Sequence, residues 1–170
     1  MLSALHVMGE YWRDDDSPSE LGLLFAAAKD RRDGEALSTL CGTFAEFART
    51  LDWAPTLVVA VPPGPRREAH PVPALAGAVA ASIGVPVAAA GRRHDTPRLR
   101  DTPVADRPRM VDAAGYHVTG DVTAQRVLLV DDVILTGTTV RHLAALLRAA
   151  GASEVQGVVV CRTRRRGDAG

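Results

Sequence analysis

The chain is 170 residues long with 20 basic and 20 acidic residues, so its formal charge is zero and no global field draws it to nucleic acid or an anionic membrane. Its two cysteines, Cys41 and Cys161, lie far apart, which excludes a zinc ribbon built on four closely paired ligands and leaves each as a buried thiol of a reducing compartment. No basic region with an apolar stretch opens the chain and no apolar run nears about 18 residues, so a soluble cytoplasmic protein is expected.

This length accommodates one domain with a full core, and the apolar residues are mostly Ala, Val and Leu, which suits Val-rich strands covered by Ala/Leu helices. Residues 1–13 alternate loosely, carry Tyr11 and Trp12, and read as a short hairpin or an edge strand. Ser17 suits a helix N-cap, with Pro18 at the first helical position and Glu20 three residues after the cap. A first helix is expected to run to about Arg32, with Leu21, Leu24, Phe25 and Ala28 on one face and Asp33 and Gly34 at its end. A second follows, with Leu37, Leu40, Cys41, Phe44, Phe47, Ala48 and Leu51 at helical spacing.

Residues 56–61 form a continuous β-branched and apolar run, hence a buried strand, broken by Pro62 and Pro63. Residues 73–83 read as a helix capped by Gly84, and residues 85–89 as the next strand. Residues 91–115 turn polar and Arg-rich without apolar periodicity, as a functional lid or a disordered insertion would. A short strand at 116–118, a central strand at 126–131, a helix at 139–150 capped by Gly151, and a last strand at 155–161 complete the chain. The order predicts an α/β fold with a doubly wound, mostly parallel sheet. One domain spans 1–170: an N-terminal flank or hood at 1–55, a core at 56–163, a mobile loop at 91–115 and a frayed tail at 164–170.

The central strand is expected to stop at two adjacent carboxylates, Asp131 and Asp132. Neighbouring side chains on an extended strand point to opposite faces, so both acids meet one ligand only where the strand bends. Buried side by side they repel, and a vicinal diol is a natural partner because each hydroxyl donates to one acid. Thr136, Gly137, Thr138 and Thr139 then supply successive N–H groups and three hydroxyls at a helix start, where the dipole favours an anion. Gly137 lets the backbone approach a phosphate closely. Acids at a strand end followed by such a turn suit a phosphorylated sugar. A Walker A lysine is missing, and no Gly-x-Gly-x-x-Gly follows a strand.

Together these residues resemble the signature of the type I phosphoribosyltransferases, which use phosphoribosyl pyrophosphate (PRPP). The resemblance implies that Asp131 and Asp132 are the catalytic acids that bind the ribose 2′ and 3′ hydroxyls, and that Thr136, Gly137, Thr138 and Thr139 hold the 5′-phosphate. Weaker likenesses point to the ComF-like branch: Tyr11 and Trp12 before an apolar helix, then Lys29 to Asp33, the Pro- and Arg-rich residues 62–71, and Thr96, Pro97 and Arg98. The zinc ribbon common in that branch is missing, and an Arg-Gly-Phe-Asn-Gln element is degraded to Arg67, Glu68, Ala69, His70 and Pro71.

In this family the loop after the first core strand holds pyrophosphate. Pro62, Pro63 and Pro65 have no N–H, so the donors there must come from Gly64, Arg66 and Arg67, with an ordinary Pro-rich turn as the competing reading. Two guanidinium groups at that loop match phosphate oxygens. In the mobile loop Arg92, Arg93, Arg98 and Arg100 are candidates to neutralise departing pyrophosphate, against a solvated loop as the alternative. His94 and His117 read as surface residues rather than catalysts.

The reaction implied is displacement at C1 of ribose, with Mg²⁺ carried on the PRPP phosphates and no protein cage for the metal. Leu135 stands where 6-oxopurine salvage enzymes place an acid that handles a base proton, which disfavours hypoxanthine or guanine as acceptor. The expected function is therefore phosphoribosyl transfer from PRPP to an unidentified small-molecule acceptor. The alternative is a non-catalytic PRPP- or nucleotide-binding accessory tied to DNA uptake. The resemblance suggests a homodimer, while direct nucleic-acid binding is disfavoured by zero charge and few aromatics.

Overall fold

The computed structural model describes residues 1–63, 70–94 and 103–164. Six strands, β1 (Ala4–Glu10), β2 (Leu57–Ala60), β3 (Val87–Arg92), β4 (Tyr116–Val118), β5 (Arg126–Ile134) and β6 (Glu154–Arg162), form one sheet in the order β1-β6-β5-β2-β3-β4. Every neighbouring pair is parallel except β3 with β4. The described helices are α1 (Glu20–Lys29), α2 (Gly34–Arg49), α3 (Pro71–Ile83), α4 (Arg107–Ala113) and α5 (Thr138–Ala149). The fold is thus the α/β, mostly parallel sheet that the sequence predicts.

A period of two along the central strands builds two cores. Leu128 and Val130 of β5, with Val158 and Val160 of β6, pack under Phe25, Leu40, Phe44, Leu75 and Val79 of α1, α2 and α3. The intervening Val127, Leu129, Val155 and Val159 pack against Val140, Leu143 and Leu147 of α5. Both faces are covered, as a parallel sheet requires. The two N-terminal helices join α3 in one layer on the first face.

Several boundaries differ from the sequence reading, each for a local reason. Residues 1–13 contain no hairpin; β1 is an edge strand paired in parallel with β6. Ser17 does not cap the first helix, because its hydroxyl goes to Asp15 and its carbonyl to Arg13. Ser19 caps it instead, accepting from Gly22 N–H at 2.9 Å. Asp33 begins α2 as well as following α1, taking the Glu35 and Ala36 N–H groups at 3.0 Å. The stretch 91–115 is not one loop: β3 runs on to Arg92, a single 3-10 turn spans Val104–Asp106, and α4 follows. Contacts with α5, including His142 Nδ1 at 3.2 Å from Asp112, give α4 the support that its own sequence pattern lacks.

The site is positioned by connectivity. From β2 the chain passes through α3 to β3 on one side, and from β5 through α5 to β6 on the other. Because β2 and β5 are neighbours, the two connections diverge and leave a crevice at the carboxyl ends of these strands.

The entry to α1 is tightly packed. A Cβ built on Gly22 would lie 2.4 Å from the Tyr11 carbonyl oxygen, and backbone cannot yield as a flexible side chain does. Gly22→Ala is expected to cost about 1–3 kcal/mol of stability, seen as a lower urea midpoint at unchanged slope. A midpoint equal to that of the wild type would contradict this contact.

Candidate functional site

The strand that carries the acidic pair does not stop there. β5 passes through Asp131 and Asp132 and stays paired with β6 as far as Ile134 opposite Arg162. Strand alternation, rather than a bend, then assigns different surroundings to the two acids. Asp131 follows Val127 and Leu129 and lines a pocket with Arg107, Thr136, Gly137, Thr138, Thr139 and Thr163. Asp132 follows Leu128 and Val130, is only 4% exposed, and turns toward the helices. Its Oδ2 pairs with Lys29 Nζ from the end of α1 and lies 3.4 Å from His70 Nε2, while its Oδ1 accepts the Val133 N–H at 2.6 Å. The expected convergence of both carboxylates on one pocket is therefore absent, because Asp132 already has partners within the protein.

The two acids still influence one another. Asp132 N–H donates to Asp131 Oδ1 at 2.8 Å. Burial pushes the Asp131 carboxyl above the ordinary carboxylate range, and the neighbouring Asp132 charge pushes it further. The Asp132 backbone N–H and the Lys29 ammonium oppose that rise without cancelling it.

Beyond β5 the chain turns onto α5. Gly137 has φ 69°, a left-handed conformation that glycine adopts without strain. Thr136 Oγ1 and Thr138 Oγ1 lie 2.8 Å apart, and the Arg141 guanidinium donates to the Thr136 carbonyl, bracing the turn from within the helix. Gly137 is the N-cap and offers no side-chain acceptor, so the first-turn N–H groups of α5 remain for an anion in the pocket. The structure therefore brings together Asp131, Thr136, Gly137, Thr138 and Thr139.

Other expected residues fall elsewhere. Arg92 lies 5.7 Å from the centre of the Tyr116 ring and donates to the His94 carbonyl at 3.2 and 3.3 Å. Arg93 and His94 are exposed at the end of β3. His117 is half-buried, and a Cβ on Gly91 would come within 2.7 Å of its ring. Gly64, Arg66, Arg67, Arg98 and Arg100 lie outside the described residues.

Four residues enter the site that the sequence reading gave no role. Arg107, 2% exposed at the start of α4, lines the pocket. Tyr116 is half-buried below Arg92; burial raises its phenol pKa, Arg92 acts against that, and Asp131 adds to it. Lys29 and His70 hold Asp132. Lys29 did carry a signal, being the single lysine of the chain. Among the described residues no three His, Cys, Asp or Glu side chains form a metal-binding group, and no helix is long and apolar enough to cross a membrane.

The raised Asp131 pKa gives stability a definite pH dependence. Its neutral form supports the empty fold below the ordinary carboxylate range, and that support is lost as pH rises through the higher folded-state value. Asp131→Asn cannot ionise, so urea unfolding at pH about 5 and about 8 should show it gaining on the wild type at the higher pH. The same stability difference at both would contradict a raised Asp131.

A family model for the phosphoribosyl transferase domain matches residues 42–169. The orotate phosphoribosyltransferase of Stenotrophomonas maltophilia (strain K279a) is 36% identical over 85 residues, covering 48% of this chain and 38% of the relative. The enzyme of the same name from Chromohalobacter salexigens is 38% identical over 89 residues, covering 48% of this chain and 36% of that one. The chain thus spans well under half the length of both relatives. Among solved structures, the glutamine phosphoribosylpyrophosphate amidotransferase from B. subtilis is 26% identical with a TM-score of 0.53, covering 73% of this chain and 26% of that one. The family match takes in β2 to β6 and the whole described pocket, well over half of the sequence, and the chain belongs to the phosphoribosyl transferase domain family.

Proposed function

We propose that the protein transfers the 5-phosphoribosyl group of PRPP to a small-molecule acceptor and releases pyrophosphate. The observation that carries this reading is the meeting, in one pocket at the end of β5, of the Asp131 carboxylate and the first turn of α5. In this reading Thr136, Gly137, Thr138 and Thr139 bind the 5′-phosphate through N–H and hydroxyl groups, and Asp131 accepts from a ribose hydroxyl. Asp132, the other acid of the expected diol pair, is turned to the interior and held by Lys29 and His70, so in this reading it acts on the sugar through Asp131. The bond from C1 to the pyrophosphate oxygen breaks with its electron pair leaving on pyrophosphate, while the acceptor forms a new bond to C1 and gives up a proton.

Mg²⁺ fits as a passenger of the donor, since the described acids form no cage and PRPP brings its own phosphate oxygens; there it would neutralise the leaving group. Arg107 on the pocket wall adds positive charge from the protein. The loop residues Gly64, Arg66 and Arg67 and the arginines 92, 93, 98 and 100 are assigned to pyrophosphate on the resemblance alone.

Leu135 supplies neither acid nor base beside the pocket, which favours acceptors that need no proton handled from that position. Orotate therefore heads an acceptor panel that also includes purines and amines, as the two curated relatives suggest. Incubation with PRPP and Mg²⁺ should release pyrophosphate with one member of the panel. Calorimetry should show PRPP affinity reduced about tenfold by Asp131→Asn. Binding of PRPP without pyrophosphate release from any acceptor would favour the non-catalytic, ComF-like accessory. Affinity unchanged by the substitution would remove Asp131 from the site.

A further inference from the structure

On the helix-covered side of β5, three segments distant in sequence meet at one carboxylate. Lys29 is the last residue of α1, His70 the residue before α3, and Asp132 the second acid of β5. Their side chains are 12%, 9% and 6% exposed, so this is an interior ion group. The Lys29 ammonium also lies 4.9 Å from the centre of the Phe25 ring. Cys161 of β6 faces the same group as a thiol that burial pushes up to about 12, leaving Lys29 as the cation facing Asp132.

The hydrogen bonds have a direction. Val72 N–H donates to His70 Nδ1 at 3.4 Å, so Nδ1 is the acceptor nitrogen and Nε2 carries a proton toward Asp132. Asp132 Oδ2 thus faces two donors while Oδ1 takes the Val133 N–H. With its carboxylate pinned, the Asp132 backbone is fixed, and its N–H donates to Asp131 Oδ1. A chain of contacts therefore runs from α1 and α3 through Asp132 to the carboxylate that lines the pocket.

An interior ion pair contributes little stability over apolar packing of equal volume, so stability alone is a weak reason for this one. We propose that Lys29 and His70 are positioning residues for the sugar end of the donor site, holding Asp132 so that Asp131 presents its carboxylate to a ribose hydroxyl. The inference rests on the phosphosugar reading and adds to it a link between the N-terminal helices and the ligand.

Two probes separate the halves of the site. Inorganic phosphate reports on the turn at 136–139, and ribose 5-phosphate on the turn together with the acids. Calorimetry of Lys29→Met is expected to show ribose 5-phosphate affinity reduced roughly tenfold with phosphate affinity unchanged, and Lys29→Arg should recover part of the loss. In an Asp132→Asn background no buried charge needs a tether, so Lys29→Met should cost almost nothing more. His70→Asn keeps a helix-capping oxygen but is too short to reach Asp132, and it should repeat the pattern more weakly should Lys29→Met fail to fold. Equal losses for both probes, or the same loss with and without Asp132, would overturn the tether while leaving the phosphosugar reading intact. Wild-type protein that binds neither probe would overturn that reading, and the tether with it.

Discussion

Two carboxylates placed side by side at the end of a covered parallel strand cannot both remain bare and charged, because neither water nor distance screens them. The protein meets this constraint asymmetrically. Asp132 receives an ammonium, an imidazole and a backbone N–H from three parts of the chain. Asp131 receives one backbone N–H and a preference for its proton. Asp131 lines the pocket, whereas Asp132 is turned to the interior.

The rest of the architecture makes that arrangement possible. Helices α1, α2 and α3 cover the face that buries Asp132, and α5 with α4 builds the face on which Asp131 opens. The divergence of the β2 and β5 connections leaves the strand ends accessible between these layers. Gly137 then reverses the chain with a positive φ, and the first turn of α5 lines the same pocket as the Asp131 carboxylate. The charged groups of the pocket are local to it: the Asp131 carboxyl and the buried Arg107 guanidinium on the wall.

How much of this could be read in the sequence depended on the range of each interaction. The strands expected at 56–61 and 126–131 announced themselves by apolar and β-branched runs, and α2 and α5 by helical spacing, because burial pattern is a local property, whereas the continuation of β5 past the acids to Ile134 was not legible. The acids and the Thr/Gly turn were legible for the same reason, lying within nine residues of one another. Helix α4 was not, since its seven residues include Arg107, Pro108 and Arg109 and draw support from contacts with α5. His70 was hidden in an element that looked degraded, yet it serves as both cap and carboxylate partner.

The sequence by itself determined the class of fold, the strand–turn–helix unit that carries the acids and the Thr/Gly turn, and the family to which that unit belongs. Those follow from residue spacing along a continuous stretch of backbone. Tertiary structure alone decided which acid lines the pocket. Alternation says only that neighbours differ, and the choice of Asp131 for the pocket and Asp132 for the interior waits on where α1 and α3 bring Lys29 and His70. Those partners lie 103 residues away for Lys29 and on a different element for His70, so only packing could pair them with Asp132.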